Sequence, residues 1–290
     1  RYTARMQRSR LAVSALFLAL FGVSLALARP RQEVTIETVP VKGPISYLVG
    51  RGGNIGVSAG ADGLLVVDSQ FEDLAPKIAA ALAKLKPGAA RFLVNTHHHG
   101  DHTGGNAPLA KSAVVVAHEN VRARLLEEKK GGLPVVTYTD GVTLHWNGEE
   151  VRLIHVPSAH TDGDTVVWFT GSGVIHLGDL YFELGYPFVD TQGGGNVLGL
   201  IEGLEKLLAE LPEDVRIIPG HGKATGKTEL AEYVAMLNTI TERVRSGLAE
   251  KKDLAALMAA GVTKEFDARW GHFDFVPPEK FVQSVVDSLE

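Results

Sequence analysis

The chain has 290 residues, of which 45% are hydrophobic and 22% are charged, and its formal net charge is -5. This composition is that of a globular protein with enough apolar residues for a large core. The acidic balance argues against nucleic-acid binding, which needs a basic surface. The chain contains no cysteine, so disulfides and thiolate metal ligands are both excluded.

The first 28 residues differ in character from the rest. Four arginines within the first ten residues precede an apolar run from Leu11 to Ala28, which ends in Ala-Leu-Ala. This order is typical of a secretory signal peptide, and a membrane anchor is the alternative because the run is just long enough to span a bilayer. We predict that residues 1–28 are a cleaved signal peptide, that residues 29–290 are the functional domain, and that the protein is periplasmic or secreted.

The first part of the chain alternates short β-branched runs with glycines and turns, a pattern typical of strands. The predicted strands are Val34–Val39, Ile45–Val49, Ile55–Val57 and Leu64–Asp68. Apolar residues with a helical period then predict a helix over Phe71–Leu85, and a short buried strand follows at Arg91–Asn95.

The second part of the chain predicts more strands and helices in alternation. The strands are Ala113–Ala117, a short one near Val135, Val142–Trp146, Val151–Val156, Thr165–Phe169, Val174–Leu177 and Arg216–Ile218. The helices are Glu119–Lys129 and Val197–Leu208, and helices fill most of the remainder. Sheets sandwiched between helices is the architecture that this order favours.

Four candidate metal ligands stand within six residues, directly after the strand Arg91–Asn95. Three further candidates follow at wide intervals, each at a strand end or on the next loop, where rigid strands position chemistry. The seven are His97, His99, Asp101, His102, His160, Asp179 and His221. Imidazole and carboxylate suit zinc, and seven ligands are too many for one tetrahedral ion, so we predict two metal ions.

The spacing of the cluster assigns its members to two sites. Residues two apart in an extended stretch point the same way, so His97 and His99 bind one ion while His98 points elsewhere. Gly100 permits a tight turn, after which Asp101 and His102 face a second ion.

The distant ligands complete the two sites. His160 is a third nitrogen for the first ion, and His221 completes the second. Asp179 follows the strand Val174–Leu177 and bridges both ions with its two oxygens.

The pattern His-x-His-x-Asp-His, followed by distant His, Asp and His, resembles the metallo-β-lactamase superfamily over about Ile45 to Leu237. The resemblance implies an α/β fold, the four-layer αββα sandwich, with two Zn²⁺ per chain. It assigns His97, His99 and His160 to the first metal, Asp101, His102 and His221 to the second, and Asp179 to both.

The family's chemistry implies that metal-bound hydroxide attacks the carbonyl carbon of a small-molecule substrate, with Asp101 orienting the nucleophile. Two roles are open for Asn196: stabilising an oxyanion, as a similarly located asparagine does in some β-lactamases, or capping the helix that begins at Val197. Asp68 likewise either orients the ligand loop or shapes a turn.

The sequence indicates the substrate less narrowly than it indicates the metal ligands. The layout resembles β-lactamases in which cysteine stands at position 179, but the lysine that follows in those enzymes is absent, so we predict weak β-lactamase activity at most. A glyoxalase II-like thioesterase and a lactonase are alternatives, as are a mononuclear iron persulfide dioxygenase and a non-catalytic binding protein.

An aromatic stretch is predicted to form one wall of an apolar cleft; it consists of Tyr181, Phe182, Tyr186 and Phe188.

Overall fold

The structure is a computed structural model that describes residues 33–290. The predicted signal peptide, residues 1–28, lies outside the described residues, so cleavage and export stay predictions. Within the described part, Val34–Glu290 form one unit, and none of its helices combines the length and apolar character needed to cross a membrane.

One sheet is built from the first half of the chain. Its strands are β1 (Glu37–Lys42), β2 (Ile45–Val49), β3 (Ile55–Gly60), β4 (Gly63–Val67), β5 (Ala90–Val94), β6 (Val114–His118) and β7 (Val136–Tyr138), and they lie side by side in chain order. Short turns join β1 to β4, so these strands run antiparallel, whereas helical crossovers make β4 to β7 parallel.

The other sheet follows in the chain. Its strands are β8 (Gly141–Trp146), β9 (Glu149–His155), β10 (Thr165–Phe169), β11 (Val174–Phe182), β12 (Arg216–His221) and β13 (Thr225–Gly226), in the spatial order β13-β12-β11-β10-β9-β8. The pair β11 and β12 is parallel because a helix connects the two strands, and the remaining pairs are antiparallel.

The helices are distributed along the whole described chain. They are α1 (Ala75–Leu85), α2 (Gly100–Thr103), α3 (Asn106–Leu109), α4 (Glu119–Glu127), α5 (Val197–Glu210), α6 (Lys227–Ala249), α7 (Leu254–Ala259), α8 (Asp267–Trp270) and α9 (Pro278–Leu289). A 3-10 turn, Glu72–Leu74, leads into α1. The longer helices are amphipathic, since their apolar residues recur every three or four positions and are buried on one side.

The two sheets pack face to face, and helices cover both outer faces. Val67 and Val94 of the first sheet share one apolar cluster with Phe169 and Ile218 of the second. A second cluster joins the outer face of the first sheet to α1, and a third joins the outer face of the second sheet to α5, α6 and α9. The predicted four-layer αββα sandwich is therefore confirmed.

Several boundaries differ from the predicted ones. The first strand begins at Glu37, three residues later than predicted. Strand β11 continues to Phe182, so Asp179 lies within a strand and not after one. The reason is Gly178, which has a φ of +53° and coincides with a shift in the pairing of β11 with β12. A glycine at such an irregularity resembles a strand end in the sequence, although pairing resumes beyond it.

The apolar face of α5 allows a direct test of the apolar cluster that joins the second sheet to α5, α6 and α9. Leu204 is fully buried there, so we expect Leu204→Ala to lower the free energy of unfolding by about 2–5 kcal/mol, because the truncation leaves a cavity. Urea denaturation measures the change. Lys206→Ala is the matched control on the exposed side of the same helix, where Lys206 pairs only with Glu202; its expected cost is about 0–1 kcal/mol. Equal losses in the two variants would contradict the assigned layer.

Candidate metal centre and cleft

The predicted ligands meet at one edge of the sandwich. The His97–His102 cluster follows β5 of the first sheet, and His221 ends β12 of the second. His160 lies on the loop between β9 and β10, and Asp179 lies near the end of β11. The structure thus brings all seven predicted side chains together, although they come from four separate parts of the chain.

The first group consists of three histidines and one carboxylate, His97, His99, His160 and Asp179, whose ligand atoms all lie within 4.8 Å of one another. His99 Nδ1 lies 3.0 Å from His160 Nε2. Asp179 Oδ2 lies 3.6 Å from His160 Nε2 and 3.9 Å from His97 Nε2. Four donor atoms therefore surround one small space.

The second group is Asp101, His102 and His221, which also meet within 4.8 Å. Asp101 Oδ2 lies 3.3 Å from His221 Nε2 and 3.6 Å from His102 Nε2. Asp179 reaches this group as well, with Oδ1 at 3.1 Å from His102 Nε2 and Oδ2 at 3.5 Å from His221 Nε2. The carboxylate of Asp179 accordingly lies between the two groups.

A test of whether a cation fits comes from atoms that lack partners. His97 Nε2, His102 Nε2 and Asp179 Oδ1 are buried and accept or donate no hydrogen bond, which is costly in a protein interior. Burial lowers the pKa of His160 to about 3 and that of His97 well below its usual value, so both imidazoles are neutral and keep a lone pair for a metal. Nitrogen and oxygen donors in this arrangement fit a divalent cation such as zinc.

Hydrogen bonds at the outer side of each ring decide which nitrogen faces inward. His160 Nδ1 donates to the Phe188 carbonyl at 2.6 Å, and His97 Nδ1 lies 3.0 Å from Thr96 Oγ1. His99 uses the other nitrogen, since its Nε2 donates to Asp190 Oδ2 at 3.0 Å. Each ring therefore presents an unprotonated nitrogen to the centre, an orienting role that outer hydrogen bonds commonly serve at metal sites.

Asp68 serves this role for His102 and is itself held in an unusual conformation. Its Oδ2 accepts from His102 Nδ1 at 2.8 Å and from Thr96 Oγ1 at 2.7 Å, and its Oδ1 accepts from the Thr96 amide at 2.8 Å. Its φ is +67°, in the left-handed region that costs a non-glycine residue about 1 kcal/mol or more. Of the two roles open for Asp68, the structure shows orientation of the ligand loop.

Asp190 is a functional neighbour that the sequence did not reveal. It binds His99 and lies 3.8 Å from His98 Nε2, so that His98, His99 and Asp190 form a third cluster of possible ligand atoms. The hydrogen bond from His99 holds the pKa of Asp190 below its usual range. No motif marks Asp190, and only its place before Gly193-Gly194-Gly195 hinted at a shaped loop.

Glycines allow two loops to approach the ligands closely. A Cβ on Gly53 would lie 2.1 Å from His102 Cε1, and one on Gly220 would lie 1.9 Å from Asp179 Oδ1. Asn54 then fixes the first loop to the second, because its amide nitrogen Nδ2 donates to the carbonyls of Pro219 and Gly222. Larger residues at either glycine would displace a candidate ligand.

Asn196 occupies the helix cap and does not line the cleft. Its Oδ1 accepts a hydrogen bond of 2.8 Å from the amide of Leu198 at the start of α5. Of the two roles open for Asn196, the structure shows the cap, and the oxyanion role stays a prediction. A side-chain oxygen engaged with the first helical turn is held at the helix end.

A cleft of about 550 Å³ opens above the two groups, and Asp101, Asp179 and His221 form part of its floor. The predicted aromatic stretch is divided between this cleft and the core. Phe182 and Phe188 line the cleft, whereas Tyr181 and Tyr186 are buried in the apolar cluster between the second sheet and α5, α6 and α9. The predicted aromatic wall is thus half correct.

The family model for the metallo-beta-lactamase superfamily matches residues 48–221. A hydroxyacylglutathione hydrolase of Methylococcus capsulatus is 29% identical over 176 residues, which cover 60% of this chain and 64% of that protein. A type 2 metallo-beta-lactamase of Bacteroides fragilis is 25% identical over 146 residues, which cover 50% and 58%. The chain spans about three fifths of the length of such curated relatives.

Solved structures show the same fold. A metallo-beta-lactamase from Pontibacter korlensis superposes with a TM-score of 0.64, at 17% identity, over 70% of this chain and 99% of that one. At this identity the likeness concerns the fold alone.

The contact between Asp68 and His102 yields a prediction about the proton on the ring. In Asp68→Asn, the amide NH₂ would face His102 Nδ1 and donate to it, so we expect the ring proton to move to Nε2, which points at the centre. Imidazole ¹⁵N chemical shifts report the tautomer, and metal affinity should fall about 10–100-fold. Asp214→Asn, which changes only an exposed pair with Lys42, is the control. A proton that stays on Nδ1 in the variant would contradict the assigned contact.

Proposed function

Because the chain belongs to the metallo-beta-lactamase superfamily, we propose that this hydrolase holds two zinc ions and cleaves an amide, ester or thioester bond of a small carbonyl compound. The observation that carries the proposal is the position of Asp179, whose carboxylate lies 3.1–3.9 Å from histidines of both groups: Oδ2 faces His97, His160 and His221, and Oδ1 faces His102. A single ion would leave one of these groups without a use.

The proposed ligands follow the two groups. His97, His99 and His160 would hold the first ion, Asp101, His102 and His221 would hold the second, and Asp179 would serve both. When bound, zinc in such a site activates water at neutral pH and polarises the carbonyl group of a substrate.

Asp101 is the proposed proton carrier. Its side chain is 31% exposed at the floor of the cleft, whereas that of Asp179 is 5% exposed. Its Oδ2 faces His221 and His102, where it would serve as a ligand of the second ion, and the side chain also lines the cleft. The other carboxylate oxygen of Asp101, Oδ1, would accept the proton of the attacking water and return it to the leaving atom, while the nearly buried Asp179 would hold the centre together.

The names of the relatives support two different leaving atoms, sulfur and nitrogen. Those named hydroxyacylglutathione hydrolase favour a thioester, and the one named metallo-beta-lactamase favours an amide. A mononuclear iron oxygenase with the same ligand motif is the competing class, and it differs in metal content.

Metal analysis tests the two-site proposal. We expect two zinc ions per chain in the zinc-loaded protein, because seven ligands form two groups that share Asp179. Asp179→Ala should weaken both sites in a calorimetric titration, since a carboxylate oxygen is lost from each.

His98→Ala is the matched control for the ligand variants, because His98 is adjacent to two ligands but faces Asp190. It should keep two zinc ions per chain. One iron per chain together with consumption of oxygen would overturn the proposal. Loss of a zinc ion in His98→Ala would place one metal site at His98, His99 and Asp190 instead.

The role of Asp101 is tested by turnover. Asp101→Ala should reduce kcat on a responsive thioester, ester or lactam by about 10²–10⁴-fold, because it removes the proton carrier. Asp214→Ala, a surface carboxylate remote from the cleft, should keep full activity. Circular dichroism and thermal unfolding establish that both variants are folded. Hydrolysis by Asp101→Ala at the rate of the unchanged protein would remove this assignment.

A further inference from the structure

The cleft above the candidate metal centre has a wall of phenyl rings. Phe188 and Phe275 have ring centroids 5.4 Å apart, Phe273 and Phe275 6.0 Å, and Phe182 and Phe273 6.0 Å. Phe182 also stacks on the candidate ligand His221, with centroids 5.3 Å apart and planes 14° apart. Phe71 contributes a ring on another part of the rim. The apolar surface therefore reaches from the cleft entrance to the ligands.

Two of these rings come from a segment outside the matched family region, residues 48–221. Phe273 and Phe275 lie on the loop between α8 and α9. Phe275 is 57% exposed, although burying a phenyl ring is favourable. An exposed apolar ring beside a functional cleft commonly marks a binding surface.

Lys280 holds this part of the wall in place. Its Nζ donates to the Phe275 carbonyl at 3.1 Å and lies 4.1 Å from the Phe275 ring centroid and 4.7 Å from that of Phe188. A cation over two rings fixes their relative position. The wall is thus positioned before any ligand binds.

A second cation beside the cleft, Arg51, is also engaged with a neighbouring ring. Apart from the histidines, Arg51 is the cation among the described residues that line the cleft. Its guanidinium pairs with Asp73 at 2.7 Å and lies 4.7 Å from the Phe71 centroid. Its charge is therefore partly compensated by Asp73.

We propose that this cleft selects substrates that carry an aromatic or similarly broad apolar group next to the reacting carbonyl, and that Phe273 and Phe275 determine this specificity. The inference rests on the proposed hydrolase function for the reaction itself. Ring-on-ring contact supplies the selectivity, and the volume of about 550 Å³ lies within the usual range of small-molecule sites.

Binding of two ketones tests the inference without hydrolysis, because a ketone has a carbonyl group but no bond to cleave. We expect the zinc-loaded full chain to bind 4-phenylbutan-2-one about tenfold or more tightly than butan-2-one in an NMR titration. Phe273→Ala and Phe275→Ala should each reduce this preference by about fivefold, and Phe275→Leu should retain part of it. Leu126→Ala removes an apolar side chain of similar exposure on α4 and should leave the preference unchanged.

The same variants are then compared in hydrolysis of 4-nitrophenyl phenylacetate and 4-nitrophenyl acetate. A lower kcat/KM for the phenylacetate alone in Phe275→Ala supports the inference. Equal binding of the two ketones, or a preference that survives both alanine variants, overturns it even if hydrolysis is efficient. Selective binding of the phenyl ketone without any hydrolysis retains the aromatic subsite and overturns the proposed function instead.

Discussion

The structure depends on the concentration of imidazole nitrogens and carboxylate oxygens around Asp179. Buried polar atoms without partners are unfavourable, yet His97 Nε2, His102 Nε2 and Asp179 Oδ1 are all buried in this cluster without a well-formed hydrogen bond. A chain that only needed a stable core would place apolar side chains there. The cluster is therefore best explained by a cation that the protein is arranged to receive.

The surrounding fold supplies the support that this cluster requires. Asp68 adopts a left-handed backbone conformation so that its carboxylate meets both Thr96 and His102, and local strain of this kind persists where neighbouring structure enforces it. Gly53 and Gly220 leave out side chains that would collide with ligands. At this edge of the sandwich, where the cleft opens, the strained backbone of Asp68, the closely approaching glycine loops and the hydrogen bonds behind the ligand rings all support the same cluster.

Much of this arrangement could be predicted because its signals are local. Strand and helix periods are read within a few residues, and the spacing of His97, His99, Asp101 and His102 already divides them into two pairs. Errors arose where a local signal was ambiguous. Gly178 resembled the end of a strand that in fact continues. For Asn196 the sequence left two roles open, and the structure shows one of them, the helix cap, through the hydrogen bond from the Leu198 amide.

Residue chemistry and short-range periodicity were enough to predict the layered fold class, the seven ligand-type side chains and their order. The packing of distant elements was needed to show which ring nitrogen faces the centre, that Asp190 holds His99, and that Phe273 and Phe275 complete a wall begun by Phe182 and Phe188. The contact of His99 with Asp190 and the contacts of the phenyl wall join residues about 90 positions apart. Their positions depend on how α8, α9 and the second sheet pack, and no local pattern encodes that packing.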